Sequence, residues 1–349
     1  MKTILNICFV ISFFVMSLIA TKEAYNYHDN NLDIAYSIIS ENAATWNDLP
    51  THKKYSKKIR NNSKIVRNND AYINIKRKIL NKTYNPNKIF AEIEKHATND
   101  NQILLYSLVA ASSQYNNPQL FYSSLLKINC YLFGIKNISS ELYILESIFI
   151  LSNIEDKQSQ ELAARAIMKL PYSHDKSLLM YKLVSQKYSR EYLVKLWNSD
   201  KQKYKPYKRY DLAGRMITMN KPPKRDDWEK RFKYFAILYS MSWNIRNWED
   251  YKIPLLAYLC YLRGDIKNYE YYRKKSISQH QLRDMQAGYF SYVEYAAKIF
   301  CLTNDNETAI LLLNTLPNGH KKNILLKRLI RYLTRTEKGY QITVKSNIL

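Results

Sequence analysis

Apolar and polar positions follow a helical period over most of this chain. From about residue 99 to residue 338, apolar residues recur three and four positions apart in stretches of 12 to 18 residues. This spacing places the apolar side chains on one face of an α-helix. Short polar segments separate the stretches, among them YNNPQ, NIEDKQ, TNDNE and LPNGH. Helices of similar length joined by short turns predict antiparallel hairpins packed in series.

The scarcity of glycine supports a helical fold. The 349 residues include 6 glycines, against about 7% in an average protein. β-Hairpins and phosphate-binding loops need glycine for positive φ or for close backbone approach. We therefore predict an all-α fold.

The first part of the chain is more polar and more basic. A modest helical pattern covers residues 32–46, and residues 51–96 hold 13 lysines and arginines against 3 acidic residues. A clearer helical pattern near the end of this region breaks at Asn85-Pro86, because the residue before proline disfavours the helical conformation.

Two segments match at a constant offset of 146 residues. In each, a helix is followed by Leu-Pro, a short polar turn and a new helix, and proline ends the first helix because it has no N–H to donate. We interpret His174 and His320, beside the two turns, as helix-start residues and not as a ligand pair. The matches are Glu161 with Glu307, Leu170 with Leu316, Pro171 with Pro317, His174 with His320, Lys176 with Lys322 and Leu179 with Leu325.

The stretch PLLAYLCYLRGDIKNYEYYRKKSI resembles a tetratricopeptide-type helical repeat. Ala257 matches the small residue of the first helix, Gly264-Asp265 the turn, and Ser276 the last small position. Tyr269 departs from the pattern, because alanine usually stands there. The resemblance covers residues 99–338 discontinuously and implies a superhelical array of antiparallel helix hairpins, a tetratricopeptide-like α-solenoid.

The N-terminus has the features of a secretory signal peptide. Lys2 precedes an apolar run from Ile7 to Ala20, which is short for a membrane span. We expect cleavage after Ala20 and export to the periplasm or the medium, with an uncleaved anchor as the alternative. Beyond this segment we expect no stable membrane span.

Composition divides the chain after the signal segment into five parts. We predict a basic, partly helical region at 21–98, a helical-repeat subdomain at 99–200, a basic proline-containing connector at 201–227, a second helical-repeat subdomain at 228–338 and a tail at 339–349. The connector contains Pro206 and the Pro222-Pro223 pair, which favour extended backbone.

The net charge of +24 predicts attraction to an anionic partner. A lysine-rich codon bias accounts for the same charge, and both explanations stay open. Three cysteines would remain in the exported chain: Cys130, Cys260 and Cys301. We expect buried thiols, or in an oxidising compartment one bridge between Cys260 and Cys301.

Catalytic and cofactor motifs are missing from the sequence. It has no phosphate-binding glycine loop, nucleophile elbow, H-E-x-x-H or C-x-x-C. We interpret Glu155-Asp156 and Asp226-Asp227 as helix caps, and reject Glu141 and Glu146 as acids of a cell-wall lytic enzyme. We therefore expect no enzyme activity, cofactor or metal.

Aromatic and basic residues are the candidates for partner binding. The segment YLRGDIKNYEYYRKK, with the apolar PLLAYLCYL before and into it, predicts a hairpin in which Tyr258, Tyr261, Tyr269 and Tyr272 fill the grooves between helices. We place Arg273, Lys274 and Lys275 toward the end of its second helix, where the dipole favours cations. The residues that we assign to a partner-binding surface are Tyr269, Tyr272, Arg273, Trp243, Trp248, Lys205, Lys208 and Arg209.

Three functions fit these observations. The preferred one is an exported, non-enzymatic helical-repeat scaffold that binds an acidic protein or peptide in the cell envelope. The second is a basic protein that binds an anionic envelope polymer or another polyanion, through the basic segments 53–82 and 201–233. The third is a secreted effector. Export makes nucleic acid a poor candidate partner.

Overall fold

The computed structural model describes residues 31–59, 70–134, 141–170, 174–186, 188–189, 192, 248–262, 264–281, 289–346 and 348–349. Every regular element in these ranges is an α-helix, which confirms the predicted all-α class. The helices are α1 (residues 31–45), α2 (Leu49–Ser56), α3 (Asp70–Leu80), α4 (Ile89–His96), α5 (Asn99–Ser113), α6 (Pro118–Gly134), α7 (Glu141–Asn153), α8 (Lys157–Lys169), α9 (His174–Ser185), α10 (Trp248–Leu262), α11 (Ile266–Gln281), α12 (Tyr289–Leu302), α13 (Asn306–Asn314), α14 (His320–Leu333) and α15 (Glu337–Lys345).

Three hairpin turns share one backbone design. A residue with a left-handed φ of 61° to 71° is followed by an aspartate whose N–H donates to the carbonyl five residues earlier, at 2.8–2.9 Å. The same aspartate side chain accepts an N–H from three residues later, at 3.1–3.2 Å, and so caps the next helix. The pairs are Asn47-Asp48, Gly264-Asp265 and Asn304-Asp305.

A small buried residue precedes each of these aspartates by eight positions. It is Ser40 in α1, Ala257 in α10 and Ala297 in α12. In the α1–α2 hairpin, Ser40 Oγ lies 2.9 Å from Nδ1 of His52, four residues after the aspartate. The two positions therefore face each other where the helices approach closely.

The structure divides into two compact units. Unit 2 spans residues 69–284, and its described helices are α3 to α11. Within it, α5 packs against α6, α7 against α8, and α10 against α11. Next-but-one helices also pack together: α3 with α5, α5 with α7, α6 with α8, and α7 with α9. From α3 to α9, successive hairpins thus rest on one another.

Unit 1 combines both ends of the chain, residues 1–68 and 285–349. Its helices α12 to α15 repeat the pattern, because α12 packs against α13 and α14, and α13 packs against α15. Two side-chain hydrogen bonds join α1 and its turn to the C-terminal helices: Asn42 Nδ2 to Thr334 Oγ1 and Tyr340 OH to Asp48 Oδ2, each 2.8 Å. A buried apolar cluster lies beside them: Ala35, Ile38, Ile39, Tyr55 and Ile330.

The helix end and the following helix start are confirmed in both segments of the 146-residue match, while residues 171–173 lie outside the described residues. α8 ends at Lys169, and Leu170 follows in an extended conformation; α13 ends at Asn314, and Leu316 is buried. The next helix begins at His174 in the first segment and at His320 in the second. Both histidines are helix-start residues, as predicted.

Other local predictions have mixed outcomes. The chain is not helical at Asn85-Pro86, between α3 and α4, and Asp156 accepts the N–H of Ser159 as the cap of α8. Residues 339–345 of the predicted tail are helical, as part of α15. Asp226-Asp227, the signal segment and the connector lie outside the described residues. The predicted domain boundaries stay a prediction.

Candidate functional site

Helix α11 holds three of the predicted partner-binding residues: Tyr269, Tyr272 and Arg273. Tyr269 is 6% exposed, and its ring centroid lies 5.7 Å from that of Tyr261 on α10. The ring therefore fills the groove between the two helices of the hairpin. The predicted inward packing of Tyr269 is confirmed, and its place on a partner-binding surface stays a prediction that this burial does not support.

The other two residues are half-buried. Arg273 Nη1 lies 3.0 Å from Glu270 Oε2 in an ion pair one turn along α11. The prediction that Arg273, Lys274 and Lys275 lie toward the end of the helix is wrong, because α11 continues to Gln281. No glycine or proline stands between Lys275 and Gln281 to stop it, and the small Ser276 is fully buried within it.

The exposed aromatic residue of α11 is Tyr271, with 57% of its surface accessible. Lys267 and Lys274 lie one turn to either side on the same face and are exposed. The Lys275 ammonium lies 6.0 Å from the Tyr271 ring centroid. We call these four residues the α11 face. Sequence reasoning missed Tyr271, although its position two residues after the inward Tyr269 places it on the opposite side of the helix.

Five further predicted residues cannot be placed on a surface. Trp243, Lys205, Lys208 and Arg209 lie outside the described residues. Trp248 is the first residue of α10, and its side chain lies outside the described part of the structure.

Unit 1 contains an open cleft of about 790 Å³ between α1, the α13–α14 turn and the last residues of the chain. This volume falls in the range of ligand sites, roughly 300–1,000 Å³. Apolar and polar groups share the lining about equally. The apolar and aromatic residues are Leu32, Tyr36, Leu316, Pro317, Leu326, Ile348 and Leu349, and the polar ones are Asn314, Thr315, Asn318, Lys322 and Asn323, with Gly319 between them.

Lys322 has the charged side chain among the residues that line the cleft, and Leu349, which lines it too, is the last residue of the sequence. Lys322 is 8% exposed, and its Nζ donates to Asn318 Oδ1 at 3.2 Å. Burial lowers the pKa of this ammonium, because desolvation disfavours its charged form. No carboxylate forms an ion pair with it in the part of the chain that the structure describes.

The start of α14 lies beside this lysine. Gly319 precedes the helix with φ of 151° and, as a glycine, has no side chain with which to cap it. The first turn also lacks an acidic residue. Uncapped N–H groups at a helix N-terminus favour an anion, as does the ammonium of Lys322.

The described cysteines are thiols and not disulfides: Cys130 is exposed, Cys260 half-buried and Cys301 buried. The bridge expected between Cys260 and Cys301 is therefore not formed in the structure. Burial raises the pKa of Cys301 to about 12, so its sulfur is a protonated and unreactive thiol. Within the described ranges, no three His, Cys, Asp or Glu side chains come together as a metal site.

Comparison of this chain with protein-family models, curated proteins and solved structures gives no match. Among the helices that the structure describes, none is long and apolar enough to cross a membrane. The α11 face and the unit 1 cleft are therefore the features from which a function can be argued.

Proposed function

We propose that this protein is an exported, non-catalytic helical-repeat scaffold that binds an acidic protein or peptide partner. The observation that supports it is the α11 face, where the exposed ring of Tyr271 is surrounded by the exposed Lys267, Lys274 and Lys275. Exposed tyrosine supplies rigid contact area at binding surfaces, and the lysines supply attraction to carboxylates.

The scaffold is a superhelical array of antiparallel hairpins. Next-but-one helix packing within each unit supports this architecture, as do the three identical hairpin turns. The hairpin α12–α13 supports the tetratricopeptide-like pattern best. It has Ala297 eight residues before its aspartate and Ala309 four residues after it, and both are fully buried. Tyr269 occupies the second position in α10–α11, so that hairpin is a variant of the pattern.

The roles of the acidic residues also favour a scaffold. Asp48, Asp156 and Asp305 cap helices. Glu92 and Glu94 pair with Lys78 and Lys127. Acidic groups used in this way fix local structure, and they are not poised for acid–base chemistry in a pocket.

Site-specific photo-crosslinking tests the location of the partner surface. A photoreactive phenylalanine analogue replaces Tyr271 in one variant and Tyr115, an even more accessible tyrosine of unit 2, in the control. We expect a discrete protein adduct from position 271 in the native envelope and none from position 115. Equal labelling at the two positions would count against the proposal.

An array of acidic and neutral peptides tests the chemistry. We expect the wild-type protein to bind acidic peptides and Tyr271→Ala to bind them about tenfold more weakly. Tyr115→Ala should bind them with the affinity of the wild type. Retention of neutral peptides alone, or equal affinity of all three proteins, would contradict the proposal.

Binding of a polyanion is the second candidate, because Lys53, Lys54, Lys57 and Lys58 are exposed together at the end of α2. That function predicts heparin affinity that falls by orders of magnitude between about 50 and 200 mM salt. It also predicts that Tyr271→Ala binds heparin with the affinity of the wild type. Acidic peptide binding through an aromatic anchor predicts a shallower dependence on salt.

A further inference from the structure

Helix α2 presents a third surface, besides the α11 face and the unit 1 cleft. Tyr55 is the buried residue of this helix. At about 100° per residue, positions 49, 50, 53, 54 and 57 lie on the side opposite residue 55, and all five are exposed. Residue 57 follows the last residue of α2 and keeps a right-handed helical conformation. We call this surface the α2 outer face: Leu49, Pro50, Lys53, Lys54 and Lys57.

The α2 outer face is positively charged. Its three lysines are exposed, as is Lys58 directly after them, and none of the four pairs with a carboxylate in the part of the chain that the structure describes. On α3, by contrast, Lys78 pairs with Glu92 at 3.0 Å. The sequence from 48 to 58 has four lysines against one aspartate, Asp48, whose carboxylate accepts hydrogen bonds from Thr51 and Tyr340. The lysines therefore keep an excess of positive charge on this face.

Two tyrosine rings position the ammonium groups at the end of α2. Lys58 Nζ lies 5.1 Å from the ring centroids of both Tyr36 and Tyr55, which are 5.7 Å apart. Lys54 Nζ lies 5.3 Å from the centroid of Tyr55. A tyrosine ring attracts an ammonium through its quadrupole but carries no net charge. These contacts orient the lysines and leave their charge in place.

Stabilisation of the helix end does not account for these lysines. Lys176 in α9 shows that structural role, because its Nζ donates to the backbone carbonyl of Leu170 at 2.6 Å and so satisfies a helix-end acceptor. Among the described residues, no ammonium of the α2 outer face donates to a backbone carbonyl. The charges are directed to the solvent, where a partner can reach them.

An apolar group lies on the same face as the lysines. Leu49 begins α2 and is 52% accessible, and the exposed Pro50 follows it. Lys53 lies one turn further along the same side of the helix. A bilayer with anionic head groups offers charge for the ammonium groups and hydrocarbon for the leucine. A soluble polyanion offers the charge alone, so the position of Leu49 favours a lipid surface.

We propose that the α2 outer face binds the surface of an anionic phospholipid bilayer, with Leu49 at the acyl-chain boundary and the lysines at the phosphate groups. The binding is peripheral and does not involve a membrane span. This surface is separate from the α11 face and does not depend on the function proposed for it. It differs from binding of a soluble polyanion by the same lysines in its apolar contact.

Vesicle co-sedimentation tests the proposal. The chain that begins at Thr21, the predicted exported form, is used so that the apolar run from Ile7 to Ala20 does not contribute. We expect it to bind vesicles of phosphatidylcholine with about one third phosphatidylglycerol at least about tenfold more tightly than vesicles of phosphatidylcholine alone. No binding to the anionic vesicles, or equal binding to both kinds, overturns the proposal.

Paired lysine variants locate the surface. We expect Lys53→Gln with Lys57→Gln to bind the anionic vesicles at least about tenfold more weakly than the parent chain. The control is Lys88→Gln with Lys95→Gln, which removes two exposed charges of unit 2, and it should bind within about twofold of the parent. Circular dichroism checks that each variant is folded. An equal loss in the two double variants would mean that net charge alone attracts the protein and would exclude a site on α2.

A leucine variant separates the bilayer from a soluble polyanion. We expect Leu49→Ala to bind anionic vesicles at least about threefold more weakly and to bind heparin with the affinity of the parent chain. The control is Leu311→Ala in α13, because Leu311 is 49% accessible and Glu307 lies one turn before it. This control should bind vesicles like the parent. If Leu49→Ala binds vesicles as tightly as the parent, the lysines act as a polyanion site and the bilayer assignment is wrong.

Discussion

The hydroxyl of Tyr340 donates a hydrogen bond to Oδ2 of Asp48 at 2.8 Å, across 292 positions of sequence. The other carboxylate oxygen of Asp48 accepts the N–H of Thr51 at 3.1 Å and caps α2. One side chain thus ends the first hairpin turn and holds the last helix of the chain. Within unit 1, this contact fixes the α1–α2 hairpin against α15.

Replacing Tyr340 by phenylalanine removes this contact and keeps the ring. We expect the free energy of unfolding to fall by about 1–2 kcal/mol, because a hydrogen bond to a charged acceptor is lost at a partly buried site. Urea denaturation followed by circular dichroism measures the change. Tyr271→Phe is the control, since its hydroxyl is on an exposed ring, and we expect a change within about 0.5 kcal/mol. Equal effects of the two variants would show that the contact does not stabilise the fold.

The same pair predicts a pH dependence. Burial alone would raise the pKa of Asp48, but hydrogen bonds from Thr51 and Tyr340 outweigh it and hold the pKa below the ordinary value of 3.8. A lowered carboxyl pKa contributes stability above the unfolded value, and this stability is lost as pH falls through the folded value. We therefore expect the stability difference between wild type and Tyr340→Phe to be full at neutral pH and to shrink below about pH 4. A difference that grows in acid would contradict this assignment.

Stability at alkaline pH depends on the ionisation of Tyr340. Desolvation, and then the hydrogen bond to Asp48, raise the pKa of Tyr340 well above its ordinary value of 10.0. A raised pKa contributes stability that is present below the unfolded value and is lost as pH rises through the folded value. Denaturation in alkaline buffer should therefore show a larger loss of stability in the wild type than in Tyr340→Phe, which keeps other tyrosines whose pKa burial raises, such as Tyr55 and Tyr106.

The shared hairpin turn predicts the effect of substitutions at Gly264. Its φ is 71°, and a methyl group at this position would meet no atom within 4 Å. Gly264→Ala should therefore cost about 1 kcal/mol through backbone conformation alone. Gly264→Asn should cost less, because asparagine tolerates this conformation and occupies the same place at Asn47 and Asn304. Thermal denaturation compares the two variants, and an equal cost would exclude the backbone explanation.

Gly339, near the start of α15, has a different constraint. A Cβ there would lie 2.6 Å from the Leu333 carbonyl oxygen and 2.7 Å from Asn306 Nδ2, two atoms that are hydrogen-bonded to each other. Alanine would therefore separate a buried donor from its acceptor. We expect Gly339→Ala to cost about 2–3 kcal/mol, more than Gly264→Ala. Urea denaturation of both variants checks the order, and a smaller cost at Gly339 would mean that α15 moves without penalty.

Hydrophobic periodicity and turn chemistry were enough to predict the all-α class and several helix ends. Leu170 and Leu316 mark two helix ends, and Gly264-Asp265 marks a hairpin turn, because these signals act within a few residues. The Asn47-Asp48 turn has the same chemistry but lies in a polar region with weak periodicity, and sequence reasoning missed it. Local signals did not reveal its bond to Tyr340, since period and propensity show which face of a helix is apolar but not which distant helix covers it.

The candidate sites show the same limit. Helical geometry alone separates the inward Tyr269 from the exposed Tyr271, so the α11 face could have been found from the sequence. The cleft could not, because it depends on the approach of Leu32, Tyr36 and Ile348 from elsewhere in the chain.

Export is the remaining prediction, and it concerns Lys2 and the apolar run from Ile7 to Ala20. We expect expression in a bacterial host to give an exported protein that begins at Thr21, because a short apolar segment after a basic residue is read as a cleavable signal. Mass spectrometry of the fractionated cells identifies the N-terminus. Val10→Asp, which interrupts the apolar run, should leave the full-length chain in the cytoplasm. Full-length wild-type protein in the membrane fraction would favour an uncleaved anchor, and full-length protein in the cytoplasm would exclude export.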